Sequence, residues 1–155
     1  MTSRPALLAP ERLLEVVRDS PMTSIDLVVE DAAGRVLLGY RTNRPARDCW
    51  FVPGGRVLKG ERLESAFVRI SGAELGCAGR LREAEWLGVY EHFYEDNFAG
   101  TAGVPTHYIV LAYRWRKEVP FEALPREQHG RFRWFEIPDL LAAGDVHPNT
   151  KAYFQ

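Results

Sequence analysis

The chain has 155 residues, 46% of them apolar and 26% charged, with a formal net charge of −1. That length and apolar content suit one sizeable core, so a single domain over residues 1–155 is expected. Charges of both signs are mixed along the whole chain, which excludes the basic footprint of a nucleic-acid binder.

No stretch approaches the roughly eighteen consecutive apolar residues of a membrane span, and "MTSRPALLAPERLLEVV" lacks the apolar centre of a signal peptide. A soluble, cytoplasmic protein without membrane attachment is therefore expected. Cys49 and Cys77 sit in apolar surroundings without CxxC spacing, as small buried hydrophobes of a reducing compartment would.

In chain order, "APERLLEVVRDSP" reads as a short amphipathic helix with Leu13, Leu14, Val16 and Val17 on its apolar side. "SIDLVVEDAAGRVLLGYR" reads as two strands around an Asp-Ala-Ala-Gly turn. After the polar loop "RTNRPARD" comes a short apolar strand, "CWFVPGGRV", that runs into a Gly-Gly turn. Residues 61–75 read as a helix closed by Gly76 as its C′ residue. "EWLGVYEHFYED" and "THYIVLAYRWR" are two further strands, "RFRWFEI" is a last one, and "PDLLAAG" is a short helix. The order mixes hairpins with helices, which points to a mixed sheet with helices packed on it.

The helix at 61–75 raises a question of charge. At about 100° per residue, Leu63, Phe67, Ile70 and Glu74 fall within one narrow arc, flanked by Ala66 and Ala73. A carboxylate on that stripe is costly unless a cation or several donors satisfy it, or unless the helix end emerges into water. The glycines before the helix bear on the choice. Gly54 and Gly55 let backbone approach a ligand closely and leave carbonyls able to coordinate a metal.

This arrangement resembles the Nudix hydrolase family, whose box is Gly, five residues, Glu, seven residues, then Arg-Glu-apolar-any-Glu-Glu-any-Gly-apolar. Gly55, Glu61, Arg69, Glu74 and Gly76 fall in register, whereas two of the family's metal-binding or catalytic glutamates are replaced by Ile70 and Ala73. The resemblance implies an α/β fold, the Nudix-type α/β/α sandwich with a mixed β-sheet. Over nearly the whole chain, "RTNRPA", "WFVPGGRV", "HFYEDNF", "THY" and "EQH" are similar to one branch that also lacks the two glutamates. That branch hydrolyses GDP-mannose at the anomeric carbon with inversion, releasing GDP and free sugar, and for this chain GDP-glucose is a second candidate substrate.

The resemblance implies Mg²⁺, with Mn²⁺ as a substitute, held by the Gly54 carbonyl, Glu74 and Gln128. It implies His129 as general base, and Arg41, Arg56, Arg69 and Tyr108 as stabilisers of the leaving group. Asp26 and His92 belong near the sugar, and Tyr94, beside Phe93, is a candidate for contact with the nucleotide. A homodimer follows by the same resemblance. Local readings compete at several positions. Arg69 can pair structurally with Glu61 or a loop carbonyl, and Tyr108 and His92 can be core residues. "EQH" can be a polar turn, and His107 and His147 read as structural. Asp26 interrupts an apolar run and needs a partner. Two other functions stay open: ordinary Nudix attack at phosphorus, and a non-catalytic module that binds a nucleotide sugar.

Overall fold

The computed structural model describes residues 7–125 and 129–155, with residues 129 and 130 described by their backbone. The expected metal ligand Gln128 lies outside the described residues, as does the side chain of His129. No helix among the described residues is long and apolar enough to cross a membrane.

Helix α1 (Pro10–Asp19) is followed by β1 (Met22–Glu30), β2 (Val36–Arg41), β3 (Trp50–Phe51), β4 (Gly54–Arg56) and helix α2 (Leu63–Leu75). Then come β5 (Glu85–Tyr94), β6 (Thr106–Arg116), β7 (His129–Phe135), α3 (Ile137–Ala142) and α4 (Pro148–Lys151), with a 3₁₀ turn at Ala152–Phe154. The strands form one mixed sheet: β1 pairs β6 in parallel, and the other pairings are antiparallel.

The first hairpin forms as expected around Gly34, which has a φ of 79°, yet its two strands part almost at once. Only Glu30 and Val36 face each other across it. Further along, β3 pairs with β2 and β4 pairs with β1. Since β6 fills the other edge of β1 and β7 the other edge of β2, residues 50–56 occupy the fork between them.

Alternation along the strands sorts side chains into two cores. Ile25, Leu27 and Val29 of β1 pack with Phe67 and Ile70 of α2 and with Trp115. Val28, Leu38, Ala112 and Phe135 face the other way, against Leu140 of α3 and Tyr153 after α4. The sheet is thus sandwiched between α2 and the C-terminal helices, the α/β/α architecture expected. A third cluster seats α1, where Val17, Met22 and Val104 pack with Leu13, Leu14 and Tyr108.

Helix α2 starts at Leu63, two residues later than its periodicity predicts, because Glu61 is used by the turn before it. Its Oε2 accepts from the Leu58 N–H at 2.9 Å and its carboxylate takes two bonds from Arg69. The helix ends at Gly76 in the left-handed region, φ 66°. Phe67 and Ile70 are buried, whereas Leu63 in the first turn is half-exposed.

Candidate active site

A cavity of about 340 Å³ opens where β1, β4 and α2 meet. It touches both faces of the sheet. From the α2 side come Ile70, Ala73 and Glu74, and from the opposite face Asp26, His92, Tyr94 and Tyr108. The two sets meet at Gly54 and Gly55, whose backbone has no side chain to separate them.

Packing demands a glycine at 54 and leaves only a tight fit at 55. A Cβ on Gly54 would stand 2.5 Å from Asp26 Oδ1 and 2.7 Å from the Ile25 carbonyl, and one on Gly55 would stand 3.0 Å from Ile70 Cγ1. The ladder explains the first. Bonds from Leu27 N to Pro53 O and from Val57 N to Thr23 O make Asp26 and Gly54 a non-hydrogen-bonded antiparallel pair, in which side chains approach most closely. In such a pair the Gly54 carbonyl points away from β1.

Glu74, in the last turn of α2, is 9% exposed. Burial pushes its pKa from 4.5 up to about 7, with the charge of Arg41 pulling the other way. Asp26 is raised by burial from 3.8 to about 7, opposed by a hydrogen bond from Tyr153 and by Arg41. Arg41 is therefore the cation shared by the two cavity carboxylates. It stands at the end of β2, where the β2–β7 ladder slips between Tyr40 and Arg41. A bulge of this kind re-aims the next side chain. Its Nε donates to the Pro45 carbonyl at 3.0 Å.

The other expected residues fall as follows. Arg56 lines the cavity from β4. Arg69 lines it too, but its Nε and Nη2 donate to Glu61 at 2.8 and 3.0 Å, and Nη2 also donates to the Arg56 carbonyl at 2.7 Å. Arg69 is thus paired with Glu61, as its local reading allowed, and with a carbonyl at the end of β4 rather than in a loop. Tyr108 lies opposite His92 across β5 and β6, and burial raises the pKa of its hydroxyl. His92 is 4% exposed; burial lowers its pKa to about 4, helped by the charge of His147, so the ring is neutral at pH 7. Tyr94 has its pKa raised by burial. The backbone of His129 pairs with Arg41, which brings the start of β7 beside the cavity cation.

The two histidines set aside as structural have structural contacts. His147 Nδ1 accepts from the Asn149 N–H at 3.0 Å and caps α4, and His107 stacks on Phe93 with centroids 4.4 Å apart. The partner that Asp26 needs is Tyr153, whose hydroxyl donates to Oδ2 at 2.5 Å. Sequence reasoning missed this residue. The Pro148 that starts α4 was a usable helix signal, but nothing in the spacing ties Tyr153 to a strand 127 positions earlier.

Hard oxygen donors suit a magnesium ion here: a buried carboxylate on Glu74 and a Gly54 carbonyl turned away from the ladder. Among the described residues no three His, Cys, Asp or Glu side chains cluster as a metal-binding group. Phosphate oxygens and water, with the expected ligand Gln128 from outside the described residues, would complete such a shell.

A model of the NUDIX domain family matches residues 20–155. The chain is 37% identical over 142 residues to the low-salt glycan biosynthesis protein Agl8 of Haloferax volcanii, spanning 89% of this chain and 83% of that protein. Its structure is similar to a MutT NUDIX hydrolase from Burkholderia pseudomallei, with a TM-score of 0.66 and 26% identity, over 87% of this chain and 96% of that one. It is also similar to the NUDIX domain of Shewanella oneidensis NrtR complexed with ADP ribose, TM-score 0.63, over 95% and 96% of the two chains. At 15% identity, that second likeness speaks to fold alone.

Proposed function

The chain belongs to the Nudix domain family and is a hydrolase of it, and on that footing we propose that it hydrolyses GDP-mannose to GDP and free mannose. The observation that carries this reading is the α2 wall of the cavity. Where the family box has two further glutamates, Ile70 is packed against Gly55 and Ala73 is a methyl group. Asp26 and Glu74 are the carboxylates among the described lining residues. Attack at phosphorus needs carboxylates beside the phosphates to hold metals and activate water. Attack at the anomeric carbon does not, because the leaving group is a diphosphate and the base belongs on the far side of the sugar ring. The likeness to a glycan biosynthesis protein supports a sugar-nucleotide substrate.

In this mechanism Arg41 and Arg56 offset the charge that builds on the departing diphosphate, and Tyr108 donates a hydrogen bond to it. Arg69, whose charge is largely matched by Glu61, contributes as a hydrogen-bond donor at the cavity wall. Asp26 and His92 hold sugar hydroxyls. Since His92 is neutral, it can both donate and accept. His129 takes the proton from the attacking water; an imidazole near its ordinary pKa of about 6.5 suits that task. Glu74, the Gly54 carbonyl and Gln128 would hold Mg²⁺, with Mn²⁺ as a substitute. When bound, the ion would supply neutralising charge at the diphosphate. The protein would act as a homodimer, which sedimentation tests.

The test is hydrolysis of GDP-mannose with Mg²⁺ in ¹⁸O-labelled water, with mass analysis of both products. The expected result is label on mannose and none on GDP. Label on phosphate, or GMP and mannose phosphate as products, refutes attack at carbon. Binding without turnover refutes an enzyme acting on this substrate.

A further inference from the structure

Behind the cavity, on the side of Asp26 away from Gly54, lies Tyr153. Its ring is buried and packs edge-on against Tyr90, with centroids 4.7 Å apart. Its hydroxyl is 2.5 Å from Asp26 Oδ2 and 3.3 Å from His92 Nε2. Asp26 and His92 line the cavity, whereas Tyr153 does not.

A phenol has one proton to give. With Asp26 ionised, the state favoured above pH 7, the carboxylate takes it, being the closer acceptor and one that cannot donate. The tyrosine oxygen then meets His92 as an acceptor, so the imidazole carries its proton on Nε2 and leaves Nδ1 as the acceptor of the ring. The other carboxylate oxygen, Oδ1, is the atom nearest to where a side chain on Gly54 would stand, and both residues line the cavity. One hydroxyl thus sets the rotation of Asp26 and the tautomer of His92 together.

We infer that Tyr153 is a positioning residue for the sugar-binding side of the cavity, holding Asp26 and His92 in the one arrangement that presents Oδ1 and a defined imidazole face to the substrate. This rests on the proposed placement of the sugar against those two residues. The alternative is a core tyrosine whose hydroxyl merely finds a partner, and the two differ in what removal of the oxygen changes.

The experiment uses Tyr153→Phe, which keeps the ring, alone and combined with Asp26→Asn, with thermal melting to check folding. In ¹⁵N-histidine spectra at pH 8, where Asp26 is ionised, the wild type is expected to show His92 as the Nε2–H tautomer, and Tyr153→Phe to redistribute it. With GDP-mannose, Tyr153→Phe is expected to lower kcat/KM about tenfold or more, the scale of a lost hydrogen bond to a charge. Affinity for GDP alone should change less than about twofold. In the Asp26→Asn background the same change should cost less than about threefold, because the hydroxyl acts through the carboxylate. An Nδ1–H tautomer in the wild type overturns the inference. So does an equal loss in both backgrounds, a loss shared by GDP affinity, or no loss. A wild type that releases no mannose sinks the proposed reaction, and the tautomer spectra then decide the role of Tyr153 by themselves.

Discussion

Replacing Glu74 by Gln should make the metal-free protein more stable at alkaline pH while removing its response to Mg²⁺. Glu74 is 9% exposed, and burial lifts its pKa from 4.5 to about 7. The folded chain therefore holds this proton more tightly than the unfolded chain, and folding takes a proton up between those two values. Stability from this group is fully present below pH 4.5 and falls as pH rises to about 7. A rise of about 2.5 in pKa, at roughly 1.4 kcal/mol each, amounts to on the order of 3 kcal/mol lost by pH 8. Asp26, raised from 3.8 to about 7, adds a loss of the same sign in both proteins and cancels in the comparison. The assay is denaturant unfolding in a chelator at pH 5 and pH 8. The Gln variant is expected to gain on the wild type between the two, by up to about 3 kcal/mol. Adding Mg²⁺ at pH 8 should then stabilise the wild type by mass action and the variant far less. Equal pH slopes for the two proteins would refute the claim that Glu74 is held at a desolvation cost that a cation relieves.

Three further outcomes are expected. Arg69→Met breaks the bonds to Glu61, whose pKa Arg69 holds below the ordinary carboxylate value. Stability should fall by about 1.5–3 kcal/mol at pH 7, with the deficit shrinking as pH drops through the acid range in which Glu61 takes up its proton. Melting temperature against pH checks this, and a deficit that grows in acid contradicts it. Gly54→Ala sets a methyl against Asp26 Oδ1 and the Ile25 carbonyl, so it should cost about 1–3 kcal/mol and impair turnover; a variant with wild-type melting would show that β4 is not held so close to β1. His129→Gln should keep melting and GDP affinity while cutting turnover at least about a hundredfold, the usual scale of a general base. Steady-state kinetics read this, and near-normal turnover removes His129 as base.

How much of this was legible beforehand differs by element. Helix α2 was readable because its core contacts recur at helical spacing and its end is marked by Gly76, which takes the left-handed conformation an L-residue resists. Its start was misplaced by two residues because Glu61 serves a turn, and side-chain use by a turn leaves no periodic trace. The glycines at 54 and 55 are legible in the sequence as permissive backbone. The stricter fact, that Asp26 and the Ile25 carbonyl leave no room for a methyl at Gly54 while one at Gly55 would press on Ile70, depends on which elements lie alongside. The pairing of Arg69 with Glu61 is readable from sequence, whereas its bond to the Arg56 carbonyl depends on where β4 lies against α2.

By itself the sequence determined the local units: the turn at Gly34, the α2 stripe with its terminal carboxylate, the apolar strands, and the loss of two glutamates from the box. Those are short-range properties, written in periods of 2 and 3.6 and in residues with unusual backbone freedom. Which units become neighbours was decided by tertiary structure. The hairpin of β1 and β2 opens to admit residues 50–56, β1 finds a parallel partner in β6, and Tyr153 returns to Asp26 across the chain. Such choices follow from burying both faces of the sheet at once and from pairing every polar group trapped in the process, a condition on the whole fold that no local window contains.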